Sequence, residues 1–244
     1  MTDKGTKQPV MVAGLRKSGK TAFICALIQL GHLSNISLAA LKPFDIGLIQ
    51  RNATEETSDG ELFCRQMAGD PMEILVSPYV ANEAYPVEMA FRRDGVKINW
   101  GFLRERLKIL NNLYALTLVE LPGSLYTPVT EEKMVFNWLR ESGNRVIWLI
   151  NPTAEQFEQN LAEISLLKSL DLEVDLVINN TAPITNQDLL MYIWEKIEQL
   201  FGQEIVGMVP HVRNLESSFG RMAEKTARAL PSLIDRLIIP PQNA

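Results

Sequence analysis

Short apolar segments alternate along this chain with longer segments in which apolar residues recur every three or four positions. The short segments predict buried strands, and they span residues 10–13, 36–41, 114–120, 145–150, 173–178 and 205–209. The longer segments predict helices over residues 21–30, 58–68, 87–93, 99–112, 134–140, 154–170, 186–201 and 215–238, the last interrupted near Pro231. Residues 44–57 show neither pattern and predict a loop.

This alternation of strands and helices predicts an α/β fold with a mostly parallel sheet and helices on both faces. No linker, repeat or low-complexity segment interrupts it, so we expect a single domain over residues 1–244 with a polar tail at residues 1–8. In such a sheet, ligands bind beyond the carboxyl ends of the strands. The residues that directly follow each predicted strand are therefore the candidates for chemistry.

The first of these positions carries a phosphate-loop motif. Residues 14–21 read G-x-x-x-x-G-K-T, between the strand at residues 10–13 and a helix. In this motif backbone N–H groups surround the phosphates, the lysine reaches the β- and γ-phosphates, and the next hydroxyl binds Mg²⁺. The helix adds its positive N-terminal end. We therefore predict a P-loop NTPase fold whose nucleotide contacts Gly14, Lys17, Ser18, Gly19, Lys20 and Thr21.

The composition limits the class of protein without choosing its substrate. The net charge is −5 over 244 residues and no basic run exceeds Arg92-Arg93, so we expect no nucleic-acid partner. The longest apolar runs, such as residues 146–150, are too short to span a membrane, and the polar tail does not read as a signal peptide. Cys25 and Cys64 lack metal-ligand spacing, which indicates buried thiols and favours a cytoplasmic protein.

Four further residues near strand ends could act with the phosphate loop. Glu120 closes a strand where a carboxylate could bind Mg²⁺, although a solvated glutamate would fit the same pattern. Asp59 could supply a second carboxylate or only favour a helix N-terminus. Lys42 could stabilise a transferred phosphoryl group or be an ordinary surface lysine. Asn179 could pair with a purine edge or belong to an asparagine-rich turn.

Taken in order, these residues resemble the pattern of dethiobiotin synthase, an ATP-dependent ligase of biotin biosynthesis. The resemblance covers most of the chain, including Leu41-Lys42-Pro43, Ser58-Asp59, Leu118-Val119-Glu120, Val177-Ile178-Asn179 and Gly207-Met208-Val209-Pro210. It implies that ATP and Mg²⁺ are bound, that 7,8-diaminononanoate and CO₂ are the substrates, and that the protein is a homodimer. The residue roles it implies are Lys20 and Lys42 at the triphosphate or carbamate, Thr21, Asp59 and Glu120 around Mg²⁺, and Asn179 at adenine, with Pro210 in the same nucleotide site.

The chain also departs from the family pattern. Its phosphate loop is one residue shorter than is typical, and basic Arg16 and Lys17 stand where the family has an acidic residue. The sequence leaves open whether these two side chains face the phosphates or solvent. Residues 44–46 replace an expected small hydroxyl residue, and residues 121–124 replace a glycine-rich turn.

Two alternative functions therefore remain open. One is a paralogue that uses ATP on a different substrate. The other is a partner-binding ATPase of the partitioning type, because Glu120-Leu121-Pro122-Gly123 is similar to the acidic-x-Pro-Gly turn that senses the γ-phosphate in such proteins. Leu15 stands where those ATPases place a signature lysine, which argues against the second alternative.

Overall fold

The computed structural model describes residues 8–47, 49–52, 55–142, 145–183, 186–213 and 219–238. Its main sheet contains the strands β1 (Val10–Gly14), β2 (Leu38–Leu41), β7 (Leu116–Glu120), β8 (Val146–Ile150), β9 (Val174–Asn179) and β10 (Ile205–Val209). They lie in the order β10-β9-β8-β1-β7-β2, and every neighbouring pair is parallel. The α/β fold with a parallel sheet, predicted from the sequence, is confirmed.

The helices are α1 (Lys20–Leu33), α2 (Asp59–Gln66), α3 (Glu73–Val76), α4 (Val87–Arg93), α5 (Trp100–Leu113), α6 (Val135–Ser142), α7 (Ala154–Ser169), α8 (Gln187–Phe201), α9 (Phe219–Ala229) and α10 (Pro231–Ile238). Because crossovers between parallel strands are right-handed as a rule, this strand order puts α1 on one face of the sheet and α5, α7 and α8 on the other. Helix α9 packs against α1. The predicted break near Pro231 is confirmed, while the predicted helical residues 215–218 lie outside the described residues.

The described residues between positions 44 and 57 do not form the loop that the sequence predicts. Strand β3 (Phe44–Ile46) pairs in parallel with β6 (Tyr79–Ala81), and β4 (Ile49–Asn52) pairs antiparallel with β5 (Glu55–Thr57). These strands have three or four residues each, too few for alternation to show. Moreover, β3 finds its partner more than thirty residues away, and such pairing leaves no local signal in the sequence.

An aromatic cluster fixes strand β3 beside the main sheet. The buried Phe44 ring lies between 6.1 and 6.3 Å, centroid to centroid, from the rings of Tyr79, Phe91, Trp100 and Trp138. Aromatic pairs at such separations add to the free energy gained by burying the rings. The cluster therefore sets the position of the residues that flank Phe44.

None of the described helices is both long enough and apolar enough to cross a lipid bilayer.

Candidate active site

A cleft of about 940 Å³ opens at the carboxyl edge of the sheet. Its walls come from the phosphate loop, from the residue after β2, from the start of α2 and from the turn after β7. Parallel strands end at the same edge, which brings together residues that are far apart in sequence. Among the predicted site residues, the cleft is lined by Lys17, Gly19, Lys20, Thr21, Lys42, Asp59 and Glu120.

The phosphate loop turns sharply before α1 begins at Lys20. Gly19 has φ +79°, and a Cβ there would lie 2.5 Å from Asn179 Nδ2, so both backbone and space require glycine. Lys17 also has a left-handed backbone, with φ +63°. The Ser18 side chain is buried, and its Oγ has no hydrogen-bond partner among the described residues. A buried hydroxyl in need of a partner, next to a helix N-terminus, suits a phosphate oxygen.

Lys20 is buried, and its ammonium group donates to the carbonyls of Gly14 and Leu15, each at 2.9 Å. Burial is the main cause that lowers the pKa of Lys20 to about 8. The Glu120 carboxylate opposes this shift, whereas the positive charge of Lys42 adds to it. A phosphate group near Lys20 would favour the charged form, so binding of a triphosphate would be coupled to protonation.

Three oxygen-bearing side chains meet at the first turn of α1. Thr21 Oγ1 lies 3.3 Å from Asp59 Oδ2 and 3.2 Å from Glu120 Oε1, and Glu120 Oε2 is buried with no hydrogen-bond partner among the described residues. Within that part of the chain no group of three or more His, Cys, Asp and Glu side chains could hold a metal ion. Mg²⁺ needs fewer, because it binds through one or two carboxylates together with phosphates and waters. This oxygen set fits Mg²⁺.

Lys42 lies among the same carboxylates. Its Nζ forms a short hydrogen-bonded ion pair with Asp59 and lies 3.1 Å from Glu120 Oε1 and 3.6 Å from Asp45 Oδ1. Burial alone would lower the pKa of Lys42, but these three carboxylates outweigh it and raise the pKa above its ordinary value. Lys42 is therefore a fixed positive charge beside the phosphate loop, and not the surface lysine of the simpler interpretation.

Asp45 belongs to this cluster and was missed by the sequence interpretation. It is buried on β3, and its Oδ2 accepts a hydrogen bond of 3.0 Å from the backbone N–H of Gly60 in the first turn of α2. Ser58 caps the same helix by accepting from Glu61 N at 2.8 Å. Burial raises the pKa of Asp45, while Lys42 lowers it. Together Asp45 and Ser58 hold the start of α2, and so Asp59, against the cleft.

Helix α7 supplies two further residues that the sequence interpretation missed. Gln156 Nε2 donates to the carbonyl of Arg16 at 3.0 Å. Glu163 is buried and accepts from Leu125 N at 3.0 Å and, more closely, from the Ser124 hydroxyl. Burial raises the pKa of Glu163, and these hydrogen bonds partly oppose the shift. The sequence indicated a role for these two residues only through their spacing, because a Gln and a Glu seven residues apart lie on one face of a helix.

Asn179 and Pro210 lie at the same sheet edge but do not line the large cleft. Asn179 is buried, and its Nδ2 donates to the carbonyl of Ser18 at 2.7 Å. Pro210 directly follows Val209, which pairs with Asn179 across β9 and β10. A smaller cavity of about 410 Å³ lies just beyond these strand ends. The described residues that line it are Pro183, His211, Val212, Arg213, Arg221 and Lys225.

The fold and the phosphate loop agree with a comparison against known protein families. The sequence model of a family described as an AAA domain matches residues 8–218. The chain belongs to this AAA domain family. That match includes the phosphate loop, Lys42 and both carboxylates of the cleft.

Curated relatives confirm the resemblance that the sequence motifs indicate. An ATP-dependent dethiobiotin synthetase of an Anaeromyxobacter species is 23% identical over 197 residues, which cover 81% of this chain and 86% of the relative. The protein of the same name from Nitrosopumilus maritimus is 20% identical over 224 residues, or 88% of this chain and 95% of the relative. The chain is a divergent relative of these enzymes.

Solved structures agree on the fold. The cell division protein MinD from Aquifex aeolicus has a TM-score of 0.53 at 16% identity, covering 95% of this chain and 94% of that one. MinD in complex with MinC from the same organism has a TM-score of 0.54 at 16% identity, covering 97% and 99%. At this identity the likeness shows only a shared P-loop NTPase fold.

Proposed function

We propose that this chain is an ATP- and Mg²⁺-dependent ligase that carboxylates 7,8-diaminononanoate and closes its ureido ring, as dethiobiotin synthases do. The observation that carries the proposal is the meeting of a buried lysine and a half-buried lysine, Lys20 and Lys42, with a hydroxyl and two carboxylates beside the phosphate loop. Phosphoryl transfer depends mainly on positioning and on charge stabilisation, which such a set supplies. The names of the curated relatives support the ligase class.

The proposed reaction has three balanced steps. One amine of the substrate attacks CO₂ and loses a proton, which gives a carbamate. A carbamate oxygen then attacks the γ-phosphorus of ATP, the bond from that phosphorus to the bridging oxygen breaks, and ADP leaves with the electron pair. The second amine attacks the carbamoyl carbon, phosphate leaves, and the ring closes with loss of the remaining proton.

The two lysines, the hydroxyl and the two carboxylates that meet beside the phosphate loop each have a role in this scheme. Lys20 and Lys42 would place ammonium groups beside the negative charge that develops on the transferred phosphoryl group. Thr21, Asp59 and Glu120 would hold Mg²⁺, which when bound neutralises charge on the phosphate oxygens. The two carboxylates also keep Lys42 charged, because they raise its pKa.

The nucleoside would extend from the phosphate loop towards the ends of β9 and β10. Asn179 and Pro210 lie there, next to the smaller cavity of about 410 Å³. One Asn179 N–H donates to Ser18, and an amide carries a second N–H and an acceptor oxygen that could pair with adenine. We further propose that the protein acts as a single-domain homodimer in the cytoplasm.

A direct assay tests the proposal. The purified protein is incubated with ATP, Mg²⁺, bicarbonate and 7,8-diaminononanoate, and the cyclic urea is sought by mass spectrometry together with diamine-dependent release of ADP and phosphate. Lys20→Ala serves as the inactive control, since it removes the phosphate-loop ammonium. Absence of the cyclic urea, in protein that measurably binds ATP, would refute the assignment of this substrate.

One observation favours a second candidate, a paralogue on the same scaffold with a different acceptor. Phe44 and Ile46 line the cleft near Lys42, where the family pattern has a small hydroxyl residue, so this wall is apolar. ATP turnover that depends on another amine or carboxylate would support the paralogue. Hydrolysis stimulated by a protein partner would instead favour a partitioning-type ATPase.

A further inference from the structure

Arg16 is held between two elements that flank the phosphate loop. Its carbonyl accepts the hydrogen bond from Gln156 of α7, which fixes its backbone. Its side chain runs beside the turn after β7, because a Cβ added at Gly123 would lie 3.7 Å from Arg16 Cγ. Gly123 has φ +47°, so the turn itself favours glycine.

The Arg16 side chain is exposed, lines the large cleft and is not balanced by a neighbouring acid. Across the described part of the chain, no carboxylate forms an ion pair with it. The two carboxylates of the cleft, Asp59 and Glu120, are already paired with Lys42.

We propose that Arg16 is a catalytic residue whose guanidinium group contacts the γ-phosphoryl group as it is transferred. This inference rests on the proposed function only in requiring ATP as the phosphoryl donor. The bond between the acceptor oxygen and the γ-phosphorus forms, the bond to the bridging oxygen breaks, and ADP takes the electron pair. Arg16 donates hydrogen bonds throughout and transfers no proton.

The geometry of guanidinium explains why arginine suits this position. Its planar fork donates two parallel hydrogen bonds to a phosphoryl group, whereas an ammonium group acts as a point charge. Negative charge on the equatorial oxygens grows during transfer, so the contact strengthens in the transition state. Arginines in this role contribute about 10³-fold or more to the rate. Because Arg16 is itself part of the phosphate loop, no partner protein would be needed to supply the arginine.

The test measures binding, so that it requires neither turnover nor the correct acceptor. The full-length protein, Arg16→Gln, Arg16→Lys and the surface control Arg140→Gln, on α6, are titrated with Mg²⁺ plus ADP, and with Mg²⁺ plus ADP and aluminium fluoride, by calorimetry. Aluminium fluoride mimics the transferred phosphoryl group. We expect the unchanged protein and Arg140→Gln to bind the aluminium fluoride complex at least about tenfold more tightly than ADP alone.

Arg16→Gln should lose most of this preference while its affinity for ADP changes less than about threefold, and Arg16→Lys should recover part of it. Three results would overturn the proposal: a preference that survives in Arg16→Gln, an equal loss of affinity for both ligands, or no preference in the unchanged protein. An equal loss would mean that Arg16 only supports the loop. Because no diamine is present, failure here is separate from failure of the substrate assay.

Discussion

Lys42→Met removes a cation that lies between three carboxylates, those of Asp45, Asp59 and Glu120. Asp45 and Glu120 retain only about 5% of their side-chain exposure, and the Lys42 side chain retains 12%. Methionine preserves much of the volume of the lysine stem, so the change is mainly one of charge. Removal of one partner from a buried ion pair costs about 3–5 kcal/mol, because the remaining charge is left without compensation.

We therefore expect Lys42→Met to lose about 3–5 kcal/mol of unfolding free energy at about pH 8. For a chain of this size, each kcal/mol corresponds to roughly 2–4 °C in Tm, so Tm should fall by about 10 °C. Equilibrium unfolding in urea, followed by tryptophan fluorescence, measures the loss. Lys108→Met on the exposed face of α5 is the matched control and should change the free energy by less than about 0.5 kcal/mol.

The pH dependence distinguishes a charge effect from a packing effect. Burial already raises the pKa of Glu120 and of Asp45, and Lys42 opposes both shifts. Without Lys42 these folded-state pKa values rise further, so the folded protein binds protons that the unfolded chain releases above about pH 4. The loss of unfolding free energy caused by Lys42→Met should therefore become smaller as the pH falls from about 8 to about 5.5. A loss of unfolding free energy that stays constant over this range, or one below about 1 kcal/mol, would refute the reasoning.

Three other changes probe the phosphate loop and its supports. Because the pKa of Lys20 is about 8, affinity for a non-hydrolysable ATP analogue should weaken as the pH rises through that value, and Lys20→Ala should remove both the affinity and its pH dependence; a flat profile would contradict this. Asn179→Ala loses the hydrogen bond to Ser18 and should weaken binding of the analogue about tenfold in calorimetry; unchanged affinity would count against it. Glu163→Ala leaves Leu125 N–H without its acceptor and should cost about 1–3 kcal/mol in urea unfolding, whereas a loss near zero would show that the turn after β7 does not depend on Glu163.

The sequence was enough to predict the main sheet and the meeting of the charged residues. Parallel strands buried on both faces give near-continuous apolar runs. Strands β1, β8 and β10 contain only apolar residues and glycine, and β7 and β9 each have one interior polar residue, Thr117 and Asp175. Once the strands are placed, their carboxyl ends must share one edge. This rule is enough to predict that Lys42 and Glu120 lie near the phosphate loop, and the structure adds the contact between their side chains.

The supports of the site could not be read from the sequence in the same way. Asp45 is an acid between two apolar residues, but its hydrogen-bond partner, Gly60 N, is fifteen residues away and across a pair of short strands. Glu163 is thirty-eight residues from Leu125. Contacts of this kind depend on how α2 and α7 pack on the sheet. The spacing of apolar residues predicts each helix but does not predict how the helix packs.

Asn179 has a contact that the sequence interpretation did not consider, and its predicted role at adenine stays a prediction. The sequence allowed either a turn residue or a purine contact, whereas the structure gives a hydrogen bond from Asn179 to the carbonyl of Ser18. That bond joins the end of β9 to the loop that would carry the phosphates, and Gly19 is required partly because the Asn179 amide occupies the space of its Cβ. The amide retains a second N–H and its oxygen, so support of the loop does not prevent contact with a base. A base bound there would therefore tighten the same residue that positions the phosphate loop, and affinity for the base and for the phosphates would be coupled through Asn179.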